Sequence, residues 1–247
     1  MSTYHQFAAV YDLFMEDAPY DGWTDYIQAI WQRHGIKPEL VLDLACGTGS
    51  ITGRLAAKGY DLIGIDRSAE MLMAAQEKQP GGRPILYLCQ DMRAFELFGT
   101  VDAAVCICDG MNYLTEDGDL LTVLKLMRNY LNPGGYFIFD LNTQYKFSEI
   151  LSENSFSEIR ENEAYIWENY YDAAKKINEY RATFFVKSKN GRYERFDEVH
   201  YERAYAIEEV TETIAAAGLT LAAVYDNLTF DPPRVESERV FFVVRRC

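Results

Sequence analysis

The chain reads as an α/β protein, a doubly wound and mostly parallel sheet carrying an inserted antiparallel β segment. Three observations predict this. Between about Glu39 and Asp140, short β-type runs alternate with helical patterns. Val41-Leu42-Asp43-Leu44-Ala45-Cys46-Gly47-Thr48-Gly49-Ser50 is an apolar run that breaks into Gly-x-Gly and a helix-capping serine. From Phe156 to Tyr205 helical periodicity disappears, and Tyr, Phe and Trp accumulate among interspersed charges.

The elements follow in order. Tyr4 to about His34 reads as mostly helical and aromatic, with Tyr4, Phe7, Tyr11, Phe14, Tyr20, Trp23, Tyr26 and Trp31. Val41–Ala45, Asp61–Ile65, Ile85–Cys89, Val101–Cys108 and Tyr136–Leu141 read as strands. Ile51–Lys58, Ala69–Gln79 and Asp119–Leu131 read as the helices between them. Ser68 starts the second helix, Pro80-Gly81-Gly82 ends it, and Asn132-Pro133-Gly134-Gly135 is a stop and turn. In the insertion, Glu163–Tyr171, Ile177–Lys187 and Arg192–Tyr205 read as strands, the last two joined by the hairpin signal Asn190-Gly191. Ile207–Ala217 is a helix stopped by Gly218, and Leu219–Tyr225 and Arg239–Val244 bring the main sheet to seven strands. The expected division is residues 1–150 with 206–247 as the main domain and 151–205 as the insertion.

Composition narrows the function. The chain has 247 residues, with 24 basic against 38 acidic side chains and a net charge of −14. Such a field repels a phosphate backbone, which argues against broad binding of nucleic acid or an anionic membrane. No apolar run approaches the length of a bilayer span. Met1-Ser2-Thr3-Tyr4-His5-Gln6 shows no basic segment followed by an apolar one, so a cytoplasmic protein is expected. The cysteines, Cys46, Cys89, Cys106, Cys108 and Cys247, are odd in number and contain no CxxC pair. Reduced thiols are expected, with no metal site and no disulfide framework. The oligomeric state is not legible.

Candidate ligand-binding residues gather at the ends of the predicted strands, where open α/β sheets bind ligands. Gly47 and Gly49 let the backbone turn tightly, and the following helix N-terminus favours a carboxylate or phosphate; a tight turn with no ligand is the alternative. Asp66, closing the second strand, suits two ribose hydroxyls or, alternatively, caps the next helix. A dinucleotide would explain this much. Thr52 stands where that pattern wants a small residue, however, and Asp43 before the turn would repel a pyrophosphate while attracting an ammonium. Asp91-Met92 at the third strand end could meet an adenine, or simply turn a corner. Cys106-Ile107-Cys108-Asp109-Gly110-Met111-Asn112-Tyr113-Leu114 comes at the end of the fourth strand, where the reactive part of the ligand belongs, or is simply a loop with a helix cap.

D-L-A-C-G-T-G, G-I-D-x-S-x-x-M-L and Q-D-M together resemble the class I S-adenosylmethionine-dependent methyltransferases. C-D-x-x-N-Y-L, Phe7–Asp12, Tyr165–Glu168, Arg195–His200 and Ser237-Glu238-Arg239 resemble their YqeM-like bacterial branch, which is related to glycine N-methyltransferase-like and ubiquinone-biosynthesis enzymes. The resemblance implies a Rossmann-like sheet with its last strand antiparallel and S-adenosyl-L-methionine as cofactor. It places the methionine portion at Asp43, Ala45, Gly47 and Gly49, and the ribose at Asp66, with Arg67 and Met71 beside the adenosine. Asp91 and Met92 would hold adenine, the Cys108 carbonyl the amino group, and Tyr11 would close over the cofactor. Gly110 departs from the serine this branch implies.

A sulfonium is an activated methyl donor, so alignment and water exclusion can account for roughly 7–11 kcal/mol of the barrier. If a base is used, Asp109, Tyr113, Glu198 and His200 are the candidates, with Asp109, Tyr113 and His200 carried forward as catalytic. On a strand, Phe196, Glu198, His200 and Glu202 share one face. His200 reads as either a structural, hydrogen-bonded histidine or a substrate contact, and Tyr165, Trp167, Tyr170 and Tyr171 as either packing or a substrate box. Arg239 reads as half of a structural ion pair or, alternatively, as a contact for an anionic substrate, and Lys187, Lys189 and Arg192 as a solvated hairpin tip. The expected activity is methyl transfer to an N or O nucleophile of a small molecule, with the insertion as a lid. An RNA methyltransferase and a non-catalytic cofactor-binding module are the alternatives.

Overall fold

A computed structural model describes residues 11–12, 15–79, 81, 83–188 and 190–247. Tyr4, Phe7 and Phe14 of the aromatic N-terminal segment, Pro80 and Gly82 of the helix stop, and Lys189 of the hairpin tip lie outside them.

The first half follows the predicted alternation: α1 (Tyr20–Arg33), β1 (Leu40–Leu44), α2 (Ser50–Ala57), β2 (Asp61–Asp66), α3 (Ala69–Glu77), β3 (Leu86–Cys89), β4 (Val101–Cys106), α4 (Asp119–Tyr130) and β5 (Leu131–Asn142). A short 3-10 turn, Gly110–Tyr113, follows β4, and a π-helical segment, Lys146–Leu151, follows β5. The insertion comprises β6 (Ser155–Ile159), β7 (Glu163–Asp172), β8 (Ile177–Lys187) and β9 (Tyr193–Arg203). The chain then completes the main sheet with α5 (Ile207–Ala216), β10 (Thr220–Asp226) and β11 (Arg239–Arg245).

The seven-stranded sheet runs β10-β11-β5-β4-β1-β2-β3. Its strands are parallel except β11, which is antiparallel to both neighbours. The strand order reverses between β1 and β4, and this is the switch point where a ligand crevice opens. Alternation along β1 and β5 sorts the core into two layers. Leu42, Leu44, Phe137 and Phe139 pack with Leu124 and Ile214, whereas Val41 and Ile138 pack with Ile27, Trp31 and Leu55. The α1 stripe of Trp23, Tyr26, Ile27, Ile30 and Trp31 recurs at helical spacing and is buried throughout.

Four findings refine the expected elements. β4 stops at Cys106 because Cys108 and Asp109 take left-handed backbone, with φ of 72° and 55°. β5 starts early: Leu131 pairs with Val101 before the Asn-Pro-Gly-Gly turn loops out, and regular pairing resumes at Tyr136. β6 carries no apolar alternation in Ser-Phe-Ser-Glu-Ile and forms because β7 offers it an edge. The π-helical segment has no local signature; Phe147 and Leu151 are buried there against Ala204.

The insertion is a separate antiparallel sheet, β6-β7-β8-β9. Its register stacks Tyr171, Asn178 and Glu202 in one cross-strand row, then Asn169, Tyr180 and His200, then Trp167, Ala182 and Glu198. Glu202, Asn178 and Asn169 are buried while Val199 and Tyr201 are exposed, as the period-two reading of β9 required. Tyr170 is the exception in the aromatic stripe. It points to the opposite, exposed face and stacks under Arg181.

Candidate active site

The turn after β1 is built from left-handed backbone at Ala45, Gly47 and Gly49. A Cβ on Gly49 would lie 2.7 Å from the Tyr87 hydroxyl and 3.0 Å from Ala75, so only glycine lets α2 start this close to its neighbours. Around Gly47 a Cβ would meet nothing within 4 Å among the described residues, which leaves that side of the turn open as a cradle between them. Asp43 lies beneath, 2 % exposed, and accepts from the Thr52 hydroxyl at 2.5 Å. Burial pushes its carboxyl up to about 7 despite that bond. Thr52 is therefore the residue that locks Asp43 to α2, a pairing that its place in the motif did not reveal. The Thr48 hydroxyl donates to Asp12 at 2.5 Å, so the turn is tied to the N-terminal segment that carries Tyr11.

Asp66, at the end of β2, accepts from the Gly47 amide and the Ser68 amide, each at 2.8 Å, and so holds the turn and the start of α3 together. Burial raises its carboxyl, partly offset by those amides. Ser68 caps α3 by accepting from the Met71 amide. Arg67 is exposed beside Asp66. Asp91 is held below the ordinary carboxylate range by a two-point hydrogen bond from Arg93, and Met92 packs on the core at the same strand end.

Beyond β4, Cys108 and Asp109 turn the chain back over the sheet edge. Burial pushes the Cys108 thiol up to about 12. Tyr11 hydrogen-bonds with this thiol and with Tyr20, and burial raises its phenol well above the usual range. A Cβ on Gly110 would lie 2.8 Å from the Cys106 sulfur and 3.1 Å from the Ala45 Cβ. That close approach explains glycine where the family resemblance implied serine.

Asp109, expected as a candidate proton acceptor, is held in an ion pair. Its carboxylate is 2.7 Å from Arg239, which also bonds Asp140. Burial alone would raise Asp109, but the Arg239 and Lys146 charges hold it below its ordinary value. A carboxylate so stabilised is a poor base. Arg239 is the ion-pair residue its sequence position suggested, and it lies over the Trp23 ring as well.

Tyr113 and His200 do come together, although one belongs to the 3-10 turn and the other to β9. Their rings meet edge-on, and the Tyr113 hydroxyl lies 3.3 Å from His200 Nδ1. Tyr180 of β8 hydrogen-bonds the same hydroxyl and stacks on the imidazole at 4.8 Å. Burial, helped by the Arg67 charge, lowers His200 to about 4, so the ring is neutral at pH 7. Sequence reasoning missed Tyr180, and it named Asn112 only as part of the stretch after the fourth strand, without its partners. The Asn112 side chain bonds both Asn142 and the Arg203 carbonyl.

Residues 41–135 match a methyltransferase domain. Over almost its whole length the chain is similar to YqeM of Bacillus subtilis (strain 168), with 39% identity covering 98% of this chain and 97% of that protein. The chain belongs to the YqeM-like class I methyltransferases. A protein assigned to the same activity in Geobacillus sp. (strain WCH70) is 34% identical over 99% of this chain and 100% of its own. An S-adenosylmethionine-dependent methyltransferase from Clostridium acetobutylicum ATCC 824, solved by crystallography, is 32% identical, covers 99% of both chains and superposes with a TM-score of 0.88.

S-adenosylmethionine is thus the cofactor of this methyltransferase, and the residues present fit it. The open cradle at Gly47 leaves room for backbone contact with a ligand. Asp66 accepts one amide on each carboxylate oxygen and retains a lone pair on each; β1, β2 and β3 are neighbours in the sheet, with Asp43, Asp66 and Asp91 in or just after their carboxyl-terminal ends. No cluster among the described residues has the makeup to hold a metal ion, and none of their helices is long and apolar enough to cross a membrane.

Proposed function

We propose that this methyltransferase transfers the methyl group by in-line displacement to an N or O nucleophile of a small molecule, with residues 151–205 acting as a lid on the domain formed by 1–150 and 206–247. The observation that carries this reading is the Tyr113–Tyr180–His200 cluster. It joins the turn after β4 to the insertion at the carboxyl edge of the sheet, so the insertion stands over the cofactor end of the molecule.

Asp43, Ala45, Gly47, Gly49 and the Cys108 carbonyl would hold the amino-acid head, with Tyr11 above it. Asp66 would accept from the ribose hydroxyls, while Arg67, Met71, Asp91 and Met92 would line the adenosine. When bound, the cofactor supplies an activated methyl group on a sulfonium. The chain's own residues then align the acceptor and exclude water. Tyr113, kept un-ionised by burial, offers a hydroxyl to the acceptor atom, and neutral His200 sets the direction of that hydroxyl. Asp109 and Arg239 keep the turn in place.

The net charge of −14 supports a small-molecule acceptor over RNA, and five free cysteines support a reducing cytoplasm. A broad acceptor screen scored by release of S-adenosylhomocysteine tests the reading. Turnover with small molecules and none with RNA is expected; turnover with RNA alone would replace it.

A further inference from the structure

Between the insertion and the sheet edge lies a buried polar centre that the alignment of the methyl group does not use. Glu202, from β9, is 3 % exposed and Asp140, from β5, is 0 % exposed. Glu202 accepts from Asn142 Nδ2 at 3.4 Å and, when it holds a proton, donates it in a hydrogen bond to the Asp109 carboxylate. Asp109 and Asp140 share Arg239, and Lys146 reaches the Asn142 side chain at 3.0 Å. Three carboxyl groups therefore face two cations, Arg239 and Lys146, among the described residues. With all five ionised the centre would carry one uncompensated negative charge, at a depth where such a charge is costly. Either a proton or a cationic ligand must supply the difference.

A second observation points to a ligand. Asn178, the cross-strand neighbour of Glu202 on the same face, is 0 % exposed, and its Oδ1 has no hydrogen-bond partner among the described residues. Asp140 Oδ1 likewise has no partner among the described residues. Both are acceptors that call for N–H or O–H donors. An ammonium brings three donors and one positive charge, which matches both deficits. A phenol brings a single donor and no charge, and a carboxylate would add to the repulsion.

Resting on the methyl-transfer reading above, we propose that Glu202 and Asn178 hold the acceptor through a cationic nitrogen, so that the acceptor is a primary or secondary amine. The chemistry balances. The bound ammonium passes one proton to the Glu202 carboxylate. The freed nitrogen lone pair forms the new C–N bond as the C–S bond breaks, and the bonding pair stays on sulfur. The product leaves as an N-methylammonium, and Glu202 keeps the proton until the next ammonium displaces it to solvent. Burial and the Asp109 charge, which raise the Glu202 carboxyl, suit it to holding that proton between turnovers. The overall negative charge draws cations toward the site.

The test offers the purified protein, with S-adenosylmethionine, three pools of acceptors: amines (amino acids, amino sugars and alkyl diamines), phenols with catechols, and carboxylic acids. Release of S-adenosylhomocysteine is followed, and cofactor affinity is measured by calorimetry. Release is expected from the amine pool alone. Glu202→Gln, which matches the protonated shape without the charge, should lower it about a hundredfold with cofactor affinity unchanged. Should Glu202→Gln lose its fold, Asn178→Ala, which leaves every charge in place, is expected to lower release from amines as well. Release from phenols or carboxylic acids, full amine activity in a folded Glu202→Gln, or no release from any pool by a protein that binds the cofactor would each overturn the amine assignment. Failure of the wild-type chain to bind S-adenosylmethionine would instead count against the methyl-transfer reading beneath it.

Discussion

The Asn112 side chain donates to the Arg203 carbonyl at 2.9 Å, which ties the last strand of the insertion to the turn that carries Tyr113. The same amide pairs with both backbone groups of Asn142. Replacing Asn112 by Ala would remove the side-chain partner of three backbone groups, two of them in buried bonds. A loss of about 3 kcal/mol in urea unfolding is expected, with Asn112→Asp also destabilising because it cannot donate.

Asp66→Ala should weaken S-adenosylmethionine binding by on the order of 2–4 kcal/mol, since ribose hydroxyls lose a charged acceptor in a partly buried site. Calorimetry reads this directly. An unchanged dissociation constant would place the ribose elsewhere.

Asp43 gives a pH signature. The folded chain keeps its proton up to about pH 7, whereas an unfolded chain releases it near the ordinary aspartate value. Between those pH values the folded state binds more protons, so this residue's contribution to stability falls as pH rises through the window and is flat above it. Asp43→Asn should remove that slope from urea titrations. A cofactor ammonium near Asp43 favours the ionised form, so binding near pH 7 should release a proton and tighten with rising pH. Heats measured in buffers of different ionisation enthalpy would show it.

Tyr113→Phe and His200→Ala should impair turnover more than cofactor binding. Arg192→Ala at the exposed hairpin end should affect neither. His200 refuses a proton until about pH 4, while the unfolded chain takes one near 6.5, so its contribution to stability is lost as pH falls through that window. It should therefore produce no activity limb between pH 6 and 8. A limb in that range that vanishes in His200→Ala would assign it a titrating role.

Gly110→Ser tests the close approach of the turn to β4. The added Cβ meets the Cys106 sulfur and Ala45, so a loss of about 1–3 kcal/mol is expected. Cys106→Ala in the same chain should recover part of it, as thermal unfolding would reveal.

The strand–helix alternation, the glycine turn and the antiparallel insertion were legible in the sequence because each is written in neighbouring residues. Periods of two and 3.6, breakers and caps act locally, and so do Asp66 and Asp91 as strand-end acids. The β9 face bearing Glu198, His200 and Glu202 was readable for the same reason. The turn of the chain at Cys108 and the formation of β6 were not, because left-handed backbone and an offered sheet edge depend on surroundings rather than on composition. The partners of the candidate site lay further still from view. Asp109 meets Arg239 130 residues later, Tyr113 meets His200 87 residues later, and Asn112 meets Arg203 91 residues later. Strand order and register set those meetings. They anchored the Asp109 carboxylate on Arg239, and they gathered Glu202, Asn178 and Asp140 into one buried centre. Local pattern determined which elements form and which acids sit at their ends; the charge balance of the site arises only once distant strands share a low-dielectric interior, where each carboxylate needs a partner.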